Sequence, residues 1–285
     1  MLRIATGLVA IWLGASAFGQ VVTLTPVADN TLYESPDMAV SNAVGPHVYC
    51  GKTNTNVLRR ALMRFDVSAI PAGAMVTDVE LRLYLNRGEG DGVRYQIHRV
   101  TSSWGQGTSN AGDPGGLGAA ATPGDPTWTA SFFGSQLWTT PGGDFEGEPS
   151  AEVVVGSSFA TYSWSGPGVV ADVQGWVGDG SSNFGWLLRG AEDTLGSALR
   201  WSSMEGENPP QLIVTYQAGS TCGTADYNGD GDVGTDQDIE AFFACLGGTC
   251  CDTCWHLGGD FNGDGDTGTD QDIESFFRVL GGGPC

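Results

Sequence analysis

Alternating apolar and polar residues predict that most of this chain is built from short β-strands. Residues 61–67 (ALMRFDV) and 79–85 (VELRLYL) have apolar side chains at every second position, which places them on one face of a strand. Shorter apolar runs follow at residues 95–100, 151–155, 186–188 and 212–216, with glycine, proline and asparagine between them. The pattern predicts a mainly β domain over residues 20–218, folded as a sandwich or jelly roll.

Two stretches of this domain depart from the strand pattern. Apolar residues recur at helical spacing through Val169, Val170, Val173, Trp176 and Val177, which predicts one short helix. Residues 103–150 are rich in glycine, proline and threonine and have weak periodicity. We expect long loops there, and long loops in a compact domain usually have a functional reason.

The first 19 residues have the pattern of a secretory signal peptide. Arg3 provides the positive start, and residues 4–13 form an apolar core that is too short to span a bilayer. Small residues follow at Ala15, Ser16, Ala17 and Gly19, and residues 15–17 or 17–19 could serve a signal peptidase. The sequence therefore predicts a secreted or cell-surface protein without membrane insertion.

An acidic segment occurs twice after the β region. The first copy runs from Asp226 to Glu240, and the second runs from Asp260 to Glu274, 34 residues later. Each copy has oxygen-bearing side chains at positions one, three and five and glycine at position six, which is how a loop wraps a hard cation. An apolar helical turn follows each loop. Residues 219–285 are thus predicted to form a small all-α domain with two calcium ions.

Negative charge is concentrated in this C-terminal segment. Residues 221–285 contain 13 acidic residues and one arginine, and they contribute −12 to a net charge of −21. Such a surface repels nucleic acid and anionic membranes, so we expect neither as a partner. Bound calcium would neutralise part of the charge.

Six of the seven cysteines lie in the same segment. They are Cys222, Cys245, Cys250, Cys251, Cys254 and Cys285. An even number of cysteines in a small exported domain predicts disulfides, and six cysteines allow 15 pairings. The alternative is zinc at the CxxC formed by Cys251 and Cys254, but no second pair completes four ligands. Cys50 is expected to be a buried apolar residue.

The β region resembles the DNRLRE domain family. The resemblance covers most of residues 21–217 in order, through residues 27–30, 60–68, 70–74, 79–83, 101–104, Val173 with Trp176, 183–186, 202–205 and 209–212. It implies a jelly-roll β domain, which in some members is grouped with carbohydrate-binding modules. The resemblance does not identify a ligand.

Residues 221–285 resemble the GC-type dockerin-like segments of secreted bacterial proteins, through both loops, both helices and the GGGPC sequence. The resemblance implies half EF-hands that fold on binding calcium and dock onto a cohesin-like or cell-surface partner. The implied side-chain ligands are Asp226, Asn228 and Asp230 in the first loop and Asp260, Asn262 and Asp264 in the second. Asp232 and Asp266 would bind through the main-chain carbonyl at position seven.

Position twelve departs from the family pattern. Dockerins place an acidic bidentate ligand there, whereas this chain has Gln237 and Gln271. Either the loops are one residue longer and are closed by Asp238 and Asp272, or they are closed by Asp236 and Asp270. We favour Asp238 and Asp272, because each directly precedes the apolar helix, as the last family ligand does.

Aromatic residues in the long loops suggest a ligand for the β domain. Trp104, Trp128 and Trp138 fall in or beside residues 103–150. Their rings could stack on sugars, or they could instead fasten the loops to the domain.

Support for catalysis is weak. The three histidines, His47, His98 and His256, lie in no recognised catalytic motif. We expect Asp144, Glu146 and Glu148 to lie in a solvated loop. A glycosidase needs two carboxylates at a fixed separation, and a glycine-rich loop holds such a pair poorly. We expect Asp29 and Asp66 to accept hydrogen bonds within turns and not to form a structural ion site.

The sequence as a whole predicts a secreted, non-catalytic protein of two modules. A β domain would bind polysaccharide, and a calcium-binding module would attach the protein to a partner or to the cell surface. One alternative is a polysaccharide lyase or glycoside hydrolase that uses the long-loop face. The other is a structural protein of the cell envelope.

Overall fold

The computed structural model describes residues 19–88, 92–156, 158–217, 222–255, 257–283 and 285. The predicted signal peptide therefore lies outside the described residues, except for Gly19. Within the described ranges, every helix is too short or too polar to cross a membrane.

Strands account for 33% of the structure and helices for 14%, which confirms a mainly β protein. Two compact units can be distinguished. The larger unit ends at Gln217. The smaller unit consists of the residues that follow, together with Ser68–Met75 and Val177–Gly180.

Fifteen strands occur among the described residues up to Gln217. They are β1 (Gln20–Leu24), β2 (Pro26–Tyr33), β3 (Val40–Ser41), β4 (His47–Lys52), β5 (Leu58–Phe65), β6 (Met75–Arg87), β7 (Val93–Arg99), β8 (Ala119–Ala120), β9 (Ala130–Phe132), β10 (Gln136–Leu137), β11 (Ala151–Val155), β12 (Ala160–Ser165), β13 (Trp186–Arg189), β14 (Leu199–Ser202) and β15 (Gln211–Gln217). One α-helix, α1 (Pro167–Gly178), and a 3₁₀ turn, Gly180–Ser182, follow β12.

Eleven of these strands form one curled antiparallel sheet. Its order is β1-β15-β6-β14-β4-β5-β13-β7-β11, with β12 also pairing with β6 and β2 also pairing with β5. Strand β4 changes partner along its length, because its first four residues pair with β14 and its last two pair with β5. Gly51 lies at this change with φ +112°, where a Cβ would come within 2.3 Å of the Ser197 carbonyl oxygen. Only glycine fits such a close backbone approach.

The predicted alternation is confirmed in β6. Val79, Leu81, Leu83 and Leu85 are fully buried, whereas the residues between them are partly exposed. Strand β5 differs, because Ala61, Leu62 and Met63 are all buried.

The long loops explain the burial of both faces of β5. Three tryptophans from residues 101–150 cover one face of this part of the sheet. Trp104, Trp128 and Trp138 pack there against Leu62 and Leu187. A strand that is buried on both faces has no solvent-facing positions, so apolar and polar residues do not alternate along it.

Helix α1 confirms the predicted helical segment. It buries Val169, Val173 and Trp176. The carboxylate of Asp172 accepts hydrogen bonds from Trp186 Nε1 at 2.7 Å and from Ser150 Oγ at 2.5 Å. The helix is therefore fixed to β13 by polar as well as apolar contacts.

The smaller unit contains two helices of equal length. They are α2 (Asp236–Leu246) and α3 (Asp270–Leu280). Tyr227, Phe242, Phe261 and Phe276 form its buried aromatic centre. Phe243 of α2 and Phe277 of α3 lie outside this centre and are each 45% exposed.

Three disulfides stabilise this small apolar core. They join Cys222 to Cys285, Cys245 to Cys250, and Cys251 to Cys254. The predicted disulfides are therefore present, and the two cysteines of the CxxC are bonded to each other. Cys50 is buried in the larger unit as predicted, where its Sγ accepts a hydrogen bond from Trp201 Nε1 at 3.2 Å.

Candidate metal centre

Each acidic loop of the smaller unit leads directly into a helix. Thr235 is the N-cap of α2, and Thr269 is the N-cap of α3. Asp238 and Asp272 occupy the third helical position and complete a capping box with these threonines. Acidic side chains in the first turn also interact favourably with the helix dipole.

The Asp272 carboxylate links the beginning of its loop to the beginning of α3. Its Oδ1 accepts hydrogen bonds from the backbone N–H groups of Phe261 at 2.9 Å and Asn262 at 3.3 Å. Its Oδ2 accepts from the Thr269 N–H and hydroxyl, both at 2.8 Å. The carboxylate is fully buried. Four donors therefore hold the loop in a closed turn around it.

Asp238 has the same role in the first loop. It accepts from the backbone N–H of Tyr227 at 2.8 Å and from the Thr235 N–H at 2.8 Å. Burial raises the pKa of Asp238, but hydrogen bonds from Thr235, Asn228 and Tyr227 outweigh burial, so the pKa lies below its ordinary value. The carboxylate is therefore held in its charged form.

The first aspartate of each loop has one oxygen that is paired and one that is not. Asp260 Oδ2 accepts from the Gly265 N–H at 3.0 Å, and Asp226 Oδ2 accepts from the Gly231 N–H at 3.1 Å. The Oδ1 atoms of both aspartates are buried and have no hydrogen-bond partner. Buried polar atoms normally have a partner, so these two carboxylate oxygens are candidate ligands for a cation.

Hydrogen bonds between alternate residues curl the rest of the loop. Asn262 Oδ1 accepts from the Asp264 N–H at 3.0 Å, and Asp264 Oδ1 accepts from the Asp266 N–H at 2.9 Å. Gly265 has φ +94°, a value that favours glycine. Asn228 and Asp230 repeat this arrangement with the Asp232 N–H.

In the second loop these bonds bring three carboxylates together. Oxygens of Asp260, Asp264 and Asp272 lie within 4.8 Å of one another, and in the described part of the chain no other loop forms such a group. The group includes Asp272 and omits Asp270. Oxygen atoms alone, with a high negative charge, are suited to a hard cation.

The predicted ligand-binding tryptophans do not form a surface site. Trp104, Trp128 and Trp138 are at most 6% exposed. Trp104 Nε1 donates to the Phe184 carbonyl at 2.8 Å, and Trp138 Nε1 donates to the Thr127 carbonyl at 2.9 Å. Their rings pack on the sheet, so they fasten the loops and do not present a face to sugars. Sequence alone could not distinguish the two roles, because both require aromatic residues in loops.

Asp144 is also held by its own loop. It accepts from the N–H groups of Thr139 and Thr140, both at 2.9 Å, and from Ser102 Oγ at 3.1 Å. Burial raises the pKa of Asp144, but these hydrogen bonds outweigh burial and lower it. A glycosidase acid needs a raised pKa, so Asp144 does not fit that role.

The capping role of Asp238 and Asp272 was not part of the sequence prediction. The signal was present, because threonine followed three residues later by an acidic residue is a helix-start pattern. No protein-family model matches the chain, and no curated protein is detectably similar to it. The candidate function therefore rests on the residues described above.

Proposed function

We propose that the smaller unit binds two calcium ions, one in each acidic loop. The main support is the pair of buried, unpartnered Oδ1 atoms of Asp226 and Asp260, which occupy the same position in both repeats. The gathered carboxylates of Asp260, Asp264 and Asp272 supply further ligands in the second loop. Asn228 and Asn262 add amide oxygens, and water completes the coordination.

Calcium suits these loops better than zinc or magnesium does. Zinc prefers cysteine and histidine, but the six described cysteines of this unit are in disulfides. Magnesium binds few protein ligands and keeps most of its water, whereas calcium accepts six to eight oxygens in a flexible loop.

Calcium would supply folding energy for a unit whose apolar core is small. Binding to the folded state alone adds about 2.7 kcal/mol when free calcium is one hundred times the Kd. The disulfides restrict the unfolded chain at the same time. Both devices suit a protein exported to an oxidising, calcium-containing environment, which is the location that we propose.

The biological role that we propose for this unit is attachment to a partner protein or a cell surface. Phe243 of α2 and Phe277 of α3 are both half-exposed, and their ring centroids lie 6.3 Å apart. Exposed aromatic pairs of this kind favour a protein interface. The two phenylalanines occupy equivalent positions in the two repeats.

For the larger unit we propose non-catalytic binding of polysaccharide. The supporting observation is an open cleft of about 440 Å³ in the loop region. Its lining includes Thr101, Ser102, Thr140, Asp144 and Phe145. Hydroxyl groups, a charged acceptor and one aromatic ring are the groups that bind sugars in water-exposed clefts.

Calcium content of the full chain tests the metal proposal. After equilibrium dialysis against buffered calcium, the ions per chain are counted by atomic emission. We expect Asp226→Ala and Asp260→Ala to lose one ion each, and the double variant to lose two. Asp252→Ala is the matched control, because this exposed aspartate lies outside both loops. Equal calcium content in the wild type and the double variant would refute the proposal.

A further inference from the structure

Asp29 in β2 is a carboxylate whose burial is not balanced by a positive charge. It is 1% exposed. Its Oδ2 accepts a hydrogen bond from the Met204 N–H at 2.6 Å, whereas its Oδ1 is buried and has no partner. Burying an ionised carboxylate is costly unless a cation or a full set of hydrogen bonds compensates.

The charged side chain that acts on Asp29 is itself acidic. Burial, and then the negative charge of Glu205, raise the pKa of Asp29 well above its ordinary value, and the hydrogen bond from Met204 offsets only part of this effect. Glu205 is exposed, so this side of the pair faces solvent. Two neighbouring carboxylates without a compensating cation repel each other.

The turn that carries Glu205 is firmly held. Ser203 N–H donates to the Pro46 carbonyl at 3.2 Å, and Ser203 Oγ donates to the Gly45 carbonyl at 2.8 Å. The Gly206 N–H donates to the Ser203 carbonyl at 3.0 Å and closes the turn. The backbone of this turn is therefore held beside Asp29, because the Met204 N–H that precedes Glu205 donates to Asp29 Oδ2.

The same local signature occurs at the first position of both acidic loops. In Asp226, Asp260 and Asp29 alike, one carboxylate oxygen accepts a backbone N–H and the other is buried without a partner. The β region contains no glycine-rich acidic loop at Asp29, so the resemblance lies in the bonding and not in the sequence pattern.

We propose that Asp29 Oδ1 and the Glu205 carboxylate bind a hard divalent cation, calcium by preference, at a third site in the larger unit. Asp29 forms the buried floor of the site, and Glu205 forms its solvent-facing side. The ion would tie β2 to the turn that follows β14. Water supplies the remaining ligands, because calcium accepts six to eight oxygens.

The experiment uses the full chain with both acidic loops inactivated by Asp226→Ala and Asp260→Ala. Bound calcium is counted after equilibrium dialysis, and thermal unfolding is followed by tryptophan fluorescence with calcium and with chelator. Seven of the nine tryptophans lie between residues 104 and 201, so the signal reports mainly on the larger unit. Asp29→Asn and Glu205→Gln are then added separately, with Glu207→Gln as an exposed control two residues further on.

We expect one calcium ion per chain in the loop-inactivated background, together with a Tm that rises when calcium is added. Asp29→Asn and Glu205→Gln should each abolish the ion and the rise in Tm, and Glu207→Gln should keep both. The proposal is overturned if the background binds no calcium, or if either test variant keeps it. Because Glu205 is exposed, its variant remains informative even if Asp29→Asn does not fold. The two ions of the acidic loops are counted separately, so failure of the loop proposal would not affect this result.

Discussion

Asp272 Oδ1 accepts the backbone N–H of Phe261 at 2.9 Å, across a separation of 11 residues. A side chain in the first turn of α3 thereby fixes the second residue of the loop that leads into this helix. The first loop has the same bond between Asp238 and Tyr227, at 2.8 Å. The protein's own hydrogen bonds thus preshape both loops, and an ion would bind to geometry that is largely formed.

Replacing Asp272 should be far more costly than replacing its neighbour Asp270. Asp272→Asn removes the charge from four hydrogen bonds and leaves one oxygen to accept them. We expect it to lower the free energy of unfolding by about 1–3 kcal/mol. Asp270→Asn alters an exposed residue at the beginning of α3 and should cost less than about 1 kcal/mol. Denaturant unfolding of the two variants measures the difference, and equal costs would contradict the capping role.

Calcium should protect particular backbone amides of the loops from hydrogen exchange. The Gly231 and Gly265 N–H groups donate to the first aspartate of their loop, and a bound ion would hold that carboxylate in place. We expect their exchange to slow in calcium and to return to the faster rate in chelator. Amides of β6 serve as the internal control. Unchanged exchange at both glycines would argue against an ion in these loops.

Glu192 should stabilise the larger unit in a pH-dependent way. Its carboxylate accepts from Arg60 Nε at 2.7 Å, from Arg60 Nη2 at 3.0 Å and from Arg189 Nε at 2.9 Å. Burial raises the pKa of Glu192, but the bonds and charges of the two arginines outweigh burial and hold the pKa below its ordinary value. The stabilisation is therefore complete above the unfolded pKa of about 4.3, and it is lost as the pH falls through the folded pKa.

The corresponding variant is Glu192→Gln. We expect it to lower the free energy of unfolding by about 1–3 kcal/mol at pH 7. The difference from the wild type should shrink as the pH falls below about 4, where Glu192 itself takes up a proton. Glu148→Gln, which alters an exposed loop carboxylate, is the control. A difference that persists unchanged at low pH would show that the charge of Glu192 does not contribute.

Loss of a loop tryptophan should reduce stability. Trp104 is 1% exposed, donates to Phe184 and lies under the Arg64 guanidinium at 5.4 Å. We expect Trp104→Ala to lower the free energy of unfolding by about 3–5 kcal/mol. Leu137→Ala removes a side chain that is 73% exposed and should be almost neutral. If Trp104→Ala unfolds like the wild type, the packing role that the structure gives it is wrong.

The strands and helices were largely predictable because their signals are local. The alternation in β6 and the helical spacing of Val169, Val173 and Trp176 both depend on residues near in sequence. Disulfide formation in the smaller unit was also predictable, because six cysteines occur within a short exported segment. The three pairings could not be chosen, since 15 are possible and the choice depends on the fold.

The position of the loop tryptophans could not be predicted, because it depends on distant contacts. Trp104 packs beside Leu62 and Leu187, which are far from it in the chain. The environment of Asp29 also depends on a distant contact, because its hydrogen-bond partner Met204 lies 175 residues away. Sequence spacing gave no reason to connect Asp29 with Glu205.

The disulfide between Cys222 and Cys285 closes a ring of chain with a sequence separation of 63 residues. Both acidic loops and both helices lie inside this ring. A protease that cuts the ring once cannot release a fragment, because the two pieces remain joined through sulfur. Attachment through this unit would therefore survive a single cut that would separate an uncrosslinked helix pair.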